Sequence, residues 1–140
     1  SSSIALKMQI DKIPPVAEKD GVGWNYYKVK PLKGDKEIIK NSHDSFINTD
    51  INQYLKSKRI NTVIIVGGHA SVCVDSTART ASQLGYHTFV PADLTADPTP
   101  KGEKQNPEII RRKLYTINNV MGYMPLSSLI LEVWGKNYNE

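Results

Sequence analysis

The run Thr62-Val63-Ile64-Ile65-Val66 constrains the fold more than any other segment, being β-branched throughout with no apolar–polar alternation. A strand with one wet face alternates, so an unbroken run predicts a parallel strand buried on both faces. Gly67-Gly68 ends it, and a helix is predicted from about Ser71 to Leu84, stopped by Gly85. Its Ala78, Ala81 and Ser82 are small enough for close packing on a sheet. Tyr86-His87-Thr88-Phe89-Val90 then reads as the next strand. Strands alternating with helices define an α/β chain with a mostly parallel sheet.

The flanking segments extend this pattern. Ile4–Ile10 alternates well enough for one strand, and the rest of residues 1–36 reads as an excursion ending in a Gly34-Asp35 turn. Glu37-Ile38-Ile39-Lys40 is predicted as a short strand. Thr49 is placed to cap a helix bearing Ile51, Tyr54 and Leu55 on one face. Asn106-Pro107-Glu108 is a helix start, with Ile109, Ile110 and Leu114 as the apolar face. Residues 119–124 read as a strand and Pro125–Trp134 as a last amphipathic helix. A length of 140 residues suits one domain over 1–140. No apolar run approaches ~18 residues, so no membrane span is expected.

Lys plus Arg is 18 against 14 for Asp plus Glu, a net +4 too mild to mark a nucleic-acid surface. Tyr26-Tyr27-Lys28-Val29-Lys30 mixes aromatic and basic side chains, yet it reads better as a solvated strand or loop than as a single-strand binder. Cys73 is the single cysteine, which excludes an intramolecular disulfide and a multi-cysteine zinc site. A reducing, cytoplasmic setting is the expectation.

In parallel sheets ligands bind at the carboxyl ends of the strands. Lys40 and Cys73 stand there. A thiol in the first turn of a helix faces unpaired N–H groups and the positive end of the dipole, and both favour the thiolate. A nearby ammonium acts in the same direction. Placement alone therefore makes Cys73 a candidate nucleophile, although a cysteine between two valines is more commonly a small buried hydrophobe.

At these residues the chain is similar to a known family. Gly34-Asp35-Lys36-Glu37-Ile38-Ile39-Lys40, Ser45-Phe46 and Thr49-Asp50 form one part of the match. Val66-Gly67-Gly68-His69-Ala70-Ser71-Val72-Cys73-Val74-Asp75-Ser76-Thr77-Ala78-Arg79 forms the other. Together they resemble the isochorismatase-like cysteine hydrolase superfamily, on its amidase-type branch. The resemblance implies a three-layer α/β/α fold and an Asp–Lys–Cys triad, with Cys73 as nucleophile and Lys40 as the lysine. It implies a cis Gly68–His69 peptide, with the N–H groups of His69 and Cys73 as an oxyanion hole. Phe46, Gly68 and His69 are expected to contact substrate. The implied reaction is cleavage of a C–N bond in a small amide through a thioester, with no cofactor.

The family's aspartate ends a first strand. Lys7-Met8-Gln9-Ile10-Asp11 echoes that strand's end with Lys7 in the aspartate's place, but the resemblance is better carried with Ile4–Ile10 on the family's second strand, so the expectation is an N-terminally truncated domain without that aspartate. Asp11, Asp20 and Asp44 are substitutes without motif support. A catalytically inactive binding or assembly module is the alternative. His43, His69 and His87 are not in ligand spacing, so no metal is expected, and His43 and His87 read as ordinary surface, loop or strand residues. Trp24 is placed either near the pocket or as a surface anchor, and Asp93 is expected to order its loop. A small-molecule substrate, no nucleic acid, no membrane and a homo-oligomer complete the expectations.

Overall fold

The computed structural model describes Tyr26, residues 30–99 and residues 103–135. The chain divides into two compact units, Ser1–Glu37 and Ile38–Glu140. The expected strand at Ile4–Ile10, and Trp24, Asp11 and Asp20, lie outside the described residues. In the first unit the predicted turn is present. Asp35 N–H donates to the Leu32 carbonyl at 3.1 Å, and Leu32 N–H donates to Asp35 Oδ2 at 2.8 Å. Gly34 sits at φ 103°, a left-handed conformation that a Cβ disfavours.

The second unit runs α1 (Ile51–Ser57), β1 (Thr62–Ile64), β2 (Gly67–Gly68), a π-helical turn (Ala70–Val74), α2 (Asp75–Gln83), β3 (His87–Phe89) and β4 (Thr95–Ala96). It continues with α3 (Pro107–Lys113), a second π-helical turn (Ile117–Met121) and α4 (Ser127–Trp134). β1 pairs in parallel with β3, Val63 opposite Thr88, and β2 pairs in parallel with β4, Gly67 opposite Thr95. Parallel pairing joined through helix 70–83 is the crossover that the sequence predicts. No helix among the described residues is long and apolar enough to cross a membrane.

The core gathers Ala70, Val74 and Ala78 from the helix after β2, Val90 and Ala92 after β3, and Ile110, Leu114, Ile117 and Met124 from the C-terminal part. Ala78 and Ala81 are fully buried, so their small side chains set how closely α2 approaches its neighbours. Ile110, Leu114 and Ile117 are buried almost completely, each stabilising the fold by ~1.5–3 kcal/mol relative to exposure. Asn106 caps α3 as predicted, its side chain accepting Glu108 N–H at 2.8 Å with Pro107 following.

Several elements differ from expectation. Ile38–Lys40 is extended but has no ladder partner among the described residues, so it is not a strand. β1 is shorter than the β-branched run and is not buried on both faces: Ile64 is 43% and Val66 53% exposed. Among the described residues β1 has a neighbour on one side only, which leaves the other edge and part of the apolar run uncovered. Residues 119–124 do not form a strand, because helical backbone continues through Met121. Only Tyr123 pairs in the sheet, as a parallel bridge to Phe89. Ile109 is exposed, leaving Ile110 and Leu114 as the buried face of that segment.

Candidate active site

Cys73 lies in the π-helical turn that leads into α2, just beyond the Gly68–His69 peptide, which is cis. Gly67 adopts φ 120°, and a Cβ on Gly68 would meet the Ala96 carbonyl oxygen at 3.3 Å. Glycine at both positions lets the backbone turn sharply beside β4. The thiol is half-buried, so it is neither sealed in the core nor free in bulk water.

The helix is held from its N-terminal end by Asp97, which is 5% exposed. One carboxylate oxygen accepts Ser71 N–H at 2.9 Å and the other accepts Lys113 Nζ at 2.9 Å. Burial pushes the Asp97 carboxyl up, but the Ser71 N–H and the Lys113 ammonium outweigh it and hold the group below its ordinary value. An anion at this end also complements the helix dipole.

Residues 40–49 form a loop pinned to α2. Cys73, Thr77 and Thr80 are spaced four then three apart, which places them on one helical face. Thr77 Oγ1 accepts Ser45 N–H at 3.0 Å, and the Thr80 hydroxyl donates to Asp44 Oδ2 at 2.5 Å. Asp44 Oδ1 also accepts Phe46 N–H at 2.8 Å, and Thr49 donates to the Ser45 carbonyl at 2.5 Å. With Asp44 and Ser45 fixed on Thr80 and Thr77, the preceding residue falls beside Cys73. His43 Nδ1 lies 3.5 Å from Cys73 Sγ.

Lys40 belongs to this loop. Its ammonium donates to the carbonyls of Ser42 at 2.7 Å and His43 at 3.1 Å. Among the described residues the hydrogen-bond partner of the thiol is therefore His43, not Lys40. Asp44 serves the loop and Thr80 rather than the sulfur. Phe46 stacks on Tyr86 with ring centres 6.0 Å apart. It also lines a groove of about 330 Å³ with Ile51, Leu55, Ile65 and Thr77. Thr77 is thus shared between the apolar groove and the polar face that carries Cys73. Asp93 orders its loop as expected, accepting Ser127 N–H at 2.8 Å and the Ser127 hydroxyl at 2.5 Å.

Two residues escape the sequence reading. His43 carries no motif signal, since its contact with Cys73 spans 30 positions. Asp97 reads as loop in Asp97-Pro98-Thr99-Pro100, and only the approach of Ser71 and Lys113 reveals its part in holding the helix.

Parallel strands, a double-glycine turn and a cysteine opening the next helix define the class of protein: an α/β domain with its candidate site at the strand ends. The particular family is the isochorismatase domain family, whose model matches residues 8–118, and this chain belongs to it. N-carbamoylsarcosine amidase from Arthrobacter sp is 30% identical over 95 residues, covering 68% of this chain and 33% of that protein. Nicotinamidase from Saccharomyces cerevisiae is 36% identical over 93 residues, covering 61% of this chain and 41% of that protein. The crystal structure of an isochorismatase-like hydrolase from Alkaliphilus metalliredigens superposes with a TM-score of 0.74 at 25% identity. That match covers 87% of this chain and 65% of the other. The fold is isochorismatase-like α/β, and the chain spans 33% and 41% of the lengths of the two curated relatives.

Proposed function

We propose that this chain carries the nucleophile of a hydrolase that cleaves a C–N bond of a small amide through a thioester on Cys73. The observation that carries the reading is Cys73 itself: a half-buried thiol in the first helical turn after the glycine turn. The amidase and nicotinamidase among the relatives point to amides as the substrate class. In this reading Cys73 Sγ attacks the amide carbonyl carbon. The N–H groups of His69 and Cys73 receive the oxyanion, which is the interaction that strengthens in the transition state. Gly68 and His69 line the substrate, and Phe46 backs it from the apolar groove. Lys40 acts through the loop whose carbonyls it binds. The protein works in the cytoplasm and self-associates; the exposed Leu129, Leu131 and Val133 of α4 support the latter.

The alternative, an inactive binding or assembly module, draws on one observation. Among the described residues no carboxylate is hydrogen-bonded to Cys73: Asp44, Asp75 and Asp97 bind Thr80, Arg79 and Lys113 respectively. A panel of small primary amides and carbamoyl compounds, assayed for ammonia or amine release with wild type and Cys73→Ala, separates the two readings. Turnover abolished by Cys73→Ala supports the hydrolase. No turnover by wild type supports the module, and turnover unchanged in the variant overturns Cys73 as the nucleophile. Light scattering at micromolar concentration reads the assembly state.

A further inference from the structure

We propose that His43 is the proton acceptor and donor for Cys73, so that this chain operates a Cys–His pair. The inference rests on the hydrolase reading above and adds to it the group that moves the proton. Three observations lead to it. Among the described residues the imidazole is the side chain in hydrogen-bond reach of the sulfur, with Nδ1 3.5 Å from Sγ. Of the carboxylates nearest in sequence, Asp44 spends both oxygens on Phe46 N–H and Thr80, and Asp75 pairs with Arg79 through Oδ2 while its buried Oδ1 bonds to no described residue; neither is hydrogen-bonded to the sulfur. The loop that presents His43 is clamped at both sides. Lys40 holds the carbonyls of Ser42 and His43, while Thr77 and Thr80 hold Ser45 and Asp44. A loop fixed on both sides of one residue orients that residue, which is what proton transfer at a defined atom requires.

The chemistry balances with these groups alone. With Nε2 protonated, Nδ1 carries the lone pair that faces the thiol. The S–H proton passes to Nδ1, leaving thiolate and imidazolium. Sγ bonds to the amide carbonyl carbon, and the C=O π pair moves onto oxygen. As the carbonyl re-forms, the C–N bond breaks and the imidazolium returns its proton to the departing nitrogen. Water then gives a proton to Nδ1 while its oxygen attacks the thioester carbon. The C–S bond breaks, the acid leaves and sulfur recovers the proton. Lys40 is a positioning residue here, since an ammonium cannot accept the thiol proton.

The charged groups nearest the pair in sequence are Lys40 and Asp44 on the loop and Asp75, bonded to Arg79, on α2. His69 is the imidazole nearest in sequence, on the turn before Cys73. The experiment is iodoacetamide alkylation of Cys73 in the full chain, followed by mass spectrometry across pH for wild type, His43→Asn, His43→Ala and His87→Asn. Asparagine keeps a hydrogen-bond acceptor near the Nδ1 position but takes no proton at neutral pH. A free thiol is only about one per cent ionised at pH ~6.5, so a paired imidazole shows as faster alkylation there. The expected result is a loss on the order of tenfold at pH ~6.5 in both His43 variants, closing at pH ~9.5 where thiols ionise unaided. His87→Asn, at an exposed position of β3, should follow the wild-type curve. Restoration of the wild-type curve by His43→Asn would reduce His43 to a structural contact, and unchanged rates in both variants would remove it altogether. Either result overturns the pair while leaving the hydrolase reading to the Cys73→Ala turnover assay. Should His43→Ala unfold, His43→Asn alone decides.

Discussion

Replacing Asp97 by asparagine tests how the cysteine-bearing helix is held. The carboxylate joins the start of that helix to α3, receiving Ser71 N–H and Lys113 Nζ, each at 2.9 Å. Its side chain is 3% exposed, whereas that of Lys113 is 42% exposed. The lysine can therefore turn to water when the anion is removed, and loss of that pair costs only ~0–1 kcal/mol. The bond from Ser71 N–H weakens from a charge-assisted to a neutral one, a difference of ~1 kcal/mol. The helix end loses its compensating anion, worth ~0.3–1 kcal/mol and more when partly buried. The amide NH₂ introduced by the substitution then faces the Lys113 ammonium, adding to the loss. Together these effects predict a destabilisation of ~2–3 kcal/mol at neutral pH. The pH dependence has a definite sign. The folded Asp97 carboxyl titrates below its ordinary value, so its contribution is complete above the unfolded carboxylate range and is lost as pH falls through the lower folded value. Urea unfolding at neutral pH and at about pH 3 measures both effects, and the gap between wild type and Asp97→Asn should narrow in acid. A variant within ~0.5 kcal/mol of wild type at neutral pH, with the same acid slope, would refute the anchoring role.

Other substitutions probe the core and the loop. Gly122→Ala places a Cβ 2.6 Å from the Thr88 carbonyl oxygen, so it should cost ~1–3 kcal/mol in urea unfolding by pushing Tyr123 from Phe89. Ile110→Ala empties a site that is 1% exposed and should cost ~2–5 kcal/mol by the same measurement. Thr80→Val removes the hydroxyl that Asp44 receives, so unfolding should be easier by ~1–2 kcal/mol and Cys73 alkylation near neutral pH should slow as the loop slackens. Asp93→Ala removes the acceptor for both Ser127 groups and should destabilise by ~1 kcal/mol, with α4 gaining hydrogen-exchange rate.

Local chemistry made much of this fold legible. Gly85 at φ 89°, the Asn106-Pro107 helix start and the small Ala78 and Ala81 each act within a few residues, and each appears where a short-range rule places it. The placement of Cys73 at a helix opening belongs with them. Strand extent was not legible, because a strand exists only where a second segment supplies its ladder. Ile38–Lys40 is extended without one, and β1 keeps three paired residues from a longer run. Residues 117–121 followed the helical path of the preceding segment rather than the β propensity of Val120.

By itself, then, the sequence determined the α/β class, the family and the thiol, since these depend on periodicity, turn residues and a contiguous motif. Only the tertiary structure decided what surrounds that thiol. His43 reaches Cys73 because Asp44 and Ser45 dock on Thr80 and Thr77, and Asp97 holds the same helix through Ser71 and Lys113. Those are contacts between side chains far apart along the chain. Their energies depend on distance and burial, and neither quantity exists until the segments have packed.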